Sequence, residues 1–208
     1  MILEENNAVI SKFVVGPLET NCYVIHERSS LKGLLIDPGV YDPDVVKYIR
    51  DNNIDVLYTL NTHGHADHIF GDSGFGYPVL IHELDEPYLR DGEKNLAGWL
   101  NEVMKPVKTE RLLKDGDDVV VGSLIFEVMH TPGHTPGGIS VKLDSFLFSG
   151  DTLFFEGVGR TDCPGGDHEA LFRSINEKLM ALPDFVRVFP GHGPETTIGH
   201  ERKSNPFL

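Results

Sequence analysis

Val56-Leu57-Tyr58-Thr59-Leu60-Asn61-Thr62-His63-Gly64-His65-Ala66-Asp67-His68 runs from an apolar stretch straight into three histidines and an aspartate. Val56 to Leu60 is a short β-branched and aromatic run, which reads as a strand. On an extended backbone residues i and i+2 point the same way, so His63 and His65 can grip one ion together. Asp67 and His68 follow at the turn into the next segment and can face a neighbouring ion. Imidazole nitrogen and carboxylate oxygen suit zinc, and also iron or manganese. The competing reading, a solvated His-rich loop, does not account for four ligand-type residues directly behind an apolar strand.

Working outward, the chain reads as two similar halves. In the first, Cys22 to Ile25 and Gly33 to Ile36 are apolar runs between turn residues and predict strands. Asp42-Pro43 predicts a helix start, with Asp as N-cap and Pro at the first helical position. Val45, Val46 and Ile49 share one face of that helix. The second half predicts strands over Asp118 to Val121, Leu124 to Met129, Ile139 to Leu143, Phe146 to Phe148 and Val186 to Phe189. A helix capped by Asp167 carries Leu171, Phe172, Ile175, Leu179 and Leu182 as an apolar stripe. Each half ends a strand at a histidine, and each helix must lay its stripe on a sheet. The expected architecture is an α/β four-layer α/β/β/α sandwich, a single domain over residues 1–208, with histidine loops along one edge. Between the halves, Glu83 to Val103 reads as helical in pieces. Leu84, Leu96, Trp99, Leu100 and Val103 supply its apolar contacts, with Trp99 either packed in a core or forming the lip of a cleft.

Composition narrows the partners. The 208 residues hold 18 Lys and Arg against 32 Asp and Glu, a net charge of −14, and include ten histidines. No basic run is present to meet nucleic-acid phosphates, so no nucleic-acid partner is expected. No segment reaches the ~18 apolar residues of a membrane span, and no membrane partner is expected. The start lacks a basic stretch followed by an apolar run, so no secretory signal is expected. With that, the two distant cysteines, Cys22 and Cys163, predict free thiols and a cytoplasmic location.

Three further motifs supply chemistry. Thr131-Pro132-Gly133-His134-Thr135-Pro136-Gly137-Gly138 holds a histidine in a Pro/Gly frame, Ser149-Gly150-Asp151-Thr152 a carboxylate after a strand, and Phe189-Pro190-Gly191-His192-Gly193 another histidine after a strand. Each alone is an ordinary turn residue. Together with the first histidine loop and with Leu35-Ile36-Asp37-Pro38-Gly39, they resemble the metallo-β-lactamase superfamily. The likeness is greatest to its glyoxalase II-like, hydroxyacylglutathione hydrolase-like branch, and the segment from Gly191 to Glu201 is similar to small bacterial members.

The resemblance implies two divalent ions, zinc before iron or manganese. His63, His65 and His134 would hold the first; Asp67, His68 and His192 the second; Asp151 would bridge them together with a water or hydroxide. Asp37 is either a turn acid or, by the resemblance, a residue that orients the histidine loop. His26, His82 and His168 match no ligand position, His130 is expected to hydrogen-bond, and His200 to pack as a polar residue.

The implied reaction is hydrolysis of a small acyl thioester of the S-acylglutathione kind by a metal-bridging hydroxide. The ions would polarise the carbonyl, and Asp67 would orient the hydroxide and take its proton. A thiolate leaves without a strong general acid, and none is evident. The additional helical domain with which full-length glyoxalase II binds glutathione is not expected here. Arg160, in Gly159-Arg160-Thr161-Asp162, either pairs with a substrate carboxylate or makes a salt bridge within its loop, and Asp162 stands where that branch has tyrosine. The nearest rival is a persulfide dioxygenase of the same fold, similar at His65 to Ile69 and at Gly159 to Asp162, with one iron on His63, His134 and Asp151. A lactamase or lactonase, and a metal-dependent binding protein without turnover, are further alternatives.

Overall fold

The computed structural model describes residues 2–100 and 105–208, apart from the side chains of Ile2, Glu4, Glu5, Trp99 and Leu100. The expectations for Trp99, Leu100 and Val103 therefore fall outside the described residues. The first half builds a seven-stranded sheet in chain order: β1 (Ile2–Glu5), β2 (Ala8–Val15), β3 (Thr20–Glu27), β4 (Lys32–Ile36), β5 (Asp55–Leu60), β6 (Val79–His82) and β7 (Thr109–Leu113). The pairs from β1 to β4 are antiparallel, and those from β4 to β7 parallel. The second half builds a six-stranded sheet from β8 (Asp118–Val121), β9 (Leu124–His130), β10 (Ile139–Leu143), β11 (Phe146–Gly150), β14 (Arg187–Pro190) and β15 (Thr196–Thr197). A small hairpin, β12 (Leu153–Phe154) and β13 (Gly157–Val158), stands apart from both sheets.

Side-chain alternation sorts residues between layers. Tyr23, Ile25, Leu34 and Ile36 face Phe126, Val141, Phe146 and Phe148 in the core between the sheets. Their neighbours Cys22, Val24 and Leu35 face the other way, onto Val45 and Ile49 of α1 (Pro43–Asp51). Leu147 and Val188 likewise meet Leu171 of α4 (His168–Ser174) and Ile198 of α5 (Ile198–Ser204). The result is the four-layer α/β/β/α sandwich. Because both faces are covered, β3 is buried at every position, as sheet strands under helices must be. The caps are local chemistry: Asp42 accepts from the backbone of Asp44 at 2.8 Å, and Asp167 from that of Ala170 at 2.9 Å.

The structure departs from the sequence reading in places. The first sheet begins earlier, because Asn6 and Asn7 take positive φ (45° and 70°) and close a tight β1–β2 hairpin. The second helix ends at Ser174 and continues as a π turn over Ile175–Leu179, where the backbone NH of Met180 donates to Ile175 O at 2.8 Å. Leu171, Ile175 and Leu179 are fully buried, whereas Phe172 lies half-buried against His168. The helical pieces after Glu83 are 3-10 turns at Glu86–Leu89 and Ala97–Leu100, and Leu84 is 49% exposed rather than packed.

Removing volume from the layer between the sheets tests this architecture. Phe148 is fully buried there. Phe148→Ala is expected to lower the free energy of unfolding by about 3–5 kcal/mol, measured by urea denaturation. Val120→Ala, at a position 56% exposed, is expected to change it by no more than about 0.5 kcal/mol.

Candidate metal centre

The predicted ligands come from loops at one edge of the sandwich. β4 runs out into Asp37, β5 into His63 and His65, β11 into Asp151, and β14 into His192. Each of these strands has a parallel neighbour (β4 with β5, β11 with β14), so their carboxyl ends open on a common crevice. Ala66 to Ile69 form a one-turn helix, α2, that carries Asp67 and His68, and a second one-turn helix, α3 (Asp72–Phe75), follows it. His134 comes from the loop between β9 and β10.

Three groups of ligand atoms, each group mutually within 4.8 Å, result: His63, His65 and His134; Asp67, His68 and His192; and His63, His68 and Asp151. Asp151 stands between the first two. Its Oδ2 lies 3.5 Å from His134 Nε2 and 3.6 Å from His192 Nε2, and its Oδ1 3.4 Å from His68 Nε2. Asp67 Oδ2 lies 3.3 Å from His192 Nε2.

Outer hydrogen bonds set which nitrogen faces inward. Asp37 is buried with φ +49° and accepts from the Thr62 backbone NH (2.7 Å), the Thr62 hydroxyl (2.6 Å) and His68 Nδ1 (3.0 Å). A carboxylate only accepts, so His68 Nδ1 donates and Nε2 faces the cluster. His134 Nδ1 donates to Arg160 O at 2.7 Å, and His63 Nδ1 lies 3.2 Å from the Thr62 hydroxyl. The His192 loop is tied to the first half: Tyr23 OH donates to Pro190 O (2.6 Å), and Asn21 Nδ2 to Pro190 O (2.8 Å) and Gly193 O (2.9 Å).

The donor set fits divalent ions. His63 Nε2, His65 Nε2 and Asp151 Oδ1 are buried without a hydrogen-bond partner. His65 Nδ1 approaches His134 Nε2 to 2.8 Å, and His68 Nε2 approaches His192 Nε2 to 3.3 Å. Buried polar atoms are ordinarily paired, and a cation satisfies several such lone pairs at once. Burial, reinforced by neighbouring imidazoles, lowers the pKa of His63 and takes that of His65 down to about 3, so both rings are neutral near pH 7, the form that can accept a cation. Burial opposes charge on His68 as well, yet Asp151, Asp67 and Asp37 push it up to about 10, the mark of a field that favours a cation. Burial would also raise Asp67, but His68 and His192 hold it well below the usual carboxylate range.

A cavity of about 510 Å³ opens over the cluster. His65, Asp67, His134, Asp151 and His192 line it together with Leu18, Leu96, Phe154, Val158 and Cys163. Arg160 also lines it, and its guanidinium forks onto Asp162 at 2.7 and 2.8 Å. The remaining histidines lie elsewhere. His82 and His130 stack at 4.1 Å, and His130 Nε2 lies 2.9 Å from Pro136 O. His200 packs on Phe155 and pairs with Glu156, His26 is buried in β3, and His168 is exposed at the start of α4. Sequence reasoning missed Asn21, Tyr23 and Asp85. Asp85 is fully buried and binds both histidine loops, yet nothing in Glu83-Leu84-Asp85 marks it out.

A four-layer sandwich with histidine and aspartate loops converging on one edge defines a metallo-hydrolase class of site. The chain belongs to the metallo-beta-lactamase superfamily, whose profile matches residues 15–192. It is 35% identical to the hydroxyacylglutathione hydrolase GloC of Haemophilus influenzae, over 93% of this chain and 95% of that one. Among solved structures it is similar to the BLEG-1 B3 metallo-beta-lactamase (36% identity, TM-score 0.85, 96% of this chain and 99% of that one). It is also similar to TTHA1623 in a di-iron-bound form (35% identity, TM-score 0.82, 95% and 100%).

The stacked pair away from the cluster has a pH signature. Burial, with His130 adding to it, lowers His82 to about 4, below the ~6.5 of a free imidazole. Between these values the unfolded chain binds a proton that the folded chain does not, so stability falls as pH drops from about 6.5 to about 4. His82→Phe is expected to make that decline shallower by up to about one proton, read from urea denaturation across the range.

Proposed function

We propose that this protein is a binuclear metal-dependent thioesterase, with zinc as its first-choice ion. The observation that carries the reading is the pair of triads joined by Asp151, with His63 Nε2 and Asp151 Oδ1 buried and without a hydrogen-bond partner. His63, His65 and His134 would hold one ion, and Asp67, His68 and His192 the other, with Asp151 between. When bound, such ions polarise a carbonyl and lower the pKa of water from ~15.7 toward ~7.

The chain's own residues supply the rest. Asp67, held ionised by His68 and His192, accepts a hydrogen bond from the attacking water and orients it. Leu18, Leu96, Phe154 and Val158 offer an apolar wall to an acyl group. Arg160 meets a carboxylate of the thiol carrier by exchanging it for Asp162. Among the described residues no carboxylic acid or imidazole beyond the cluster itself lines the cavity to protonate a leaving amine, which suits a thiolate. The similarity to a hydroxyacylglutathione hydrolase supports a small S-acylglutathione-like substrate. We place the enzyme in the cytoplasm, where Cys22 and Cys163, both free, stay reduced.

Metal content and turnover test this reading. Chelator-treated protein is expected to release no thiol from a short S-acylglutathione and to recover with two zinc ions per chain. Asp67→Asn is expected to lower kcat by roughly 10²- to 10⁴-fold. One iron per chain with oxygen uptake on a persulfide, and no thiol release, would replace this reading with a mononuclear dioxygenase. Metal binding without turnover of any thioester would leave a binding protein.

A further inference from the structure

We propose that Asp85 is a positioning residue that sets the spacing of the first ion's triad by clamping the two loops that supply it. The inference rests on the two-ion reading above. Asp85 is fully buried and follows β6, where its backbone NH donates to His82 O at 3.0 Å. Its Oδ2 accepts from the Gly64 backbone NH (2.9 Å) and the Thr135 hydroxyl (2.6 Å), and its Oδ1 from the Gly137 backbone NH (2.6 Å). Gly64 lies between His63 and His65, and Thr135 directly follows His134. A single carboxylate thus joins the early histidine loop of one half to the late histidine loop of the other.

The arrangement is built closely. A Cβ at Gly137 would collide with Asp85 itself, and one at Gly64 with Tyr88. Tyr88 is in turn held by its backbone NH on Asp85 O at 2.9 Å. Three donors converge on one carboxyl group, whose two oxygens together accept all three. An amide at this position presents hydrogens to at least one of those donors, and the loops must then part.

The second triad has other anchors. Asp37 holds His68, and Asn21 and Tyr23 hold the carbonyl of Pro190, two residues before His192. Loss of the Asp85 clamp therefore acts on one ion and not on the other. A residue that merely stabilised the fold would affect both.

Titration of the metal-free chain with Zn²⁺ against a chromophoric chelator, combined with NMR of the histidine rings, tests the proposal. In Asp85→Asn one of the two sites is expected to weaken on the order of 10- to 100-fold while the other is unchanged. The ring signals of His65 and His134 are expected to shift without those of His68 and His192. Thr135→Val removes one donor at nearly constant volume and is expected to weaken the same site by less. It decides the question if Asp85→Asn does not fold. Two sites of native affinity in both variants, or equal weakening of both sites, would overturn the role of Asp85 while leaving the two-ion reading intact. A native chain that binds no zinc would remove that reading and the proposal together.

Discussion

Imidazole nitrogens crowded within 4.8 Å of one another repel unless a proton or a cation lies between them, and here hydrogen bonds at the back of the rings hold them in place. Asp37, the Thr62 hydroxyl and the Arg160 carbonyl each engage an outer ring nitrogen. The inner nitrogens of His68, His63 and His134 are thereby committed to the cluster. Two carboxylates, Asp67 and Asp151, share that space. The protein has arranged a concentration of lone pairs that is unfavourable alone and favourable around positive charge. Such preorganisation suits a cation, because the donor atoms are ordered by folding and not by the ion.

The sandwich makes this crowding attainable. Neither half carries a complete site. One sheet brings His63, His65, Asp67 and His68, and the other brings His134, Asp151 and His192. The two meet because Phe126, Phe146, Phe148 and Phe189 interleave with Tyr23, Ile25 and Leu34 between the sheets. Tyr23 works on both levels: its ring packs edge-on against Phe148 and Phe189, and its hydroxyl holds Pro190 O in the His192 loop. Core packing and loop placement are therefore one construction, and a core defect would be felt at the site as displaced ligands.

Much of the fold was legible in the chain itself. The short apolar runs of β3, β4 and β11 and the Asp caps of α1 and α4 are local features that act through neighbouring residues. The β1–β2 hairpin escaped because an Asn-Asn turn is a weak signal until its positive φ values are seen. The π turn after Ser174 escaped because a one-residue insertion leaves the apolar stripe readable at helical spacing. Leu84 was misplaced because hydrophobicity alone does not say which side of a short turn faces water.

The seven clustered side chains stood out by residue type and by their position after strands. What lay hidden were the residues that hold them. Asp85, Asn21 and the backbone of Arg160 act across separations of 21 to 52, 169 to 172, and 26 residues, and no local pattern records a partner so distant. By itself the sequence determined which atoms can bind a cation and which segments are strands, because both follow from side-chain chemistry and short-range periodicity. Only the tertiary structure decided which nitrogen of each ring faces inward, that Arg160 is forked onto Asp162, and which buried carboxylate joins the two histidine loops. Those choices depend on contacts between chain segments that meet only after the sheets have packed.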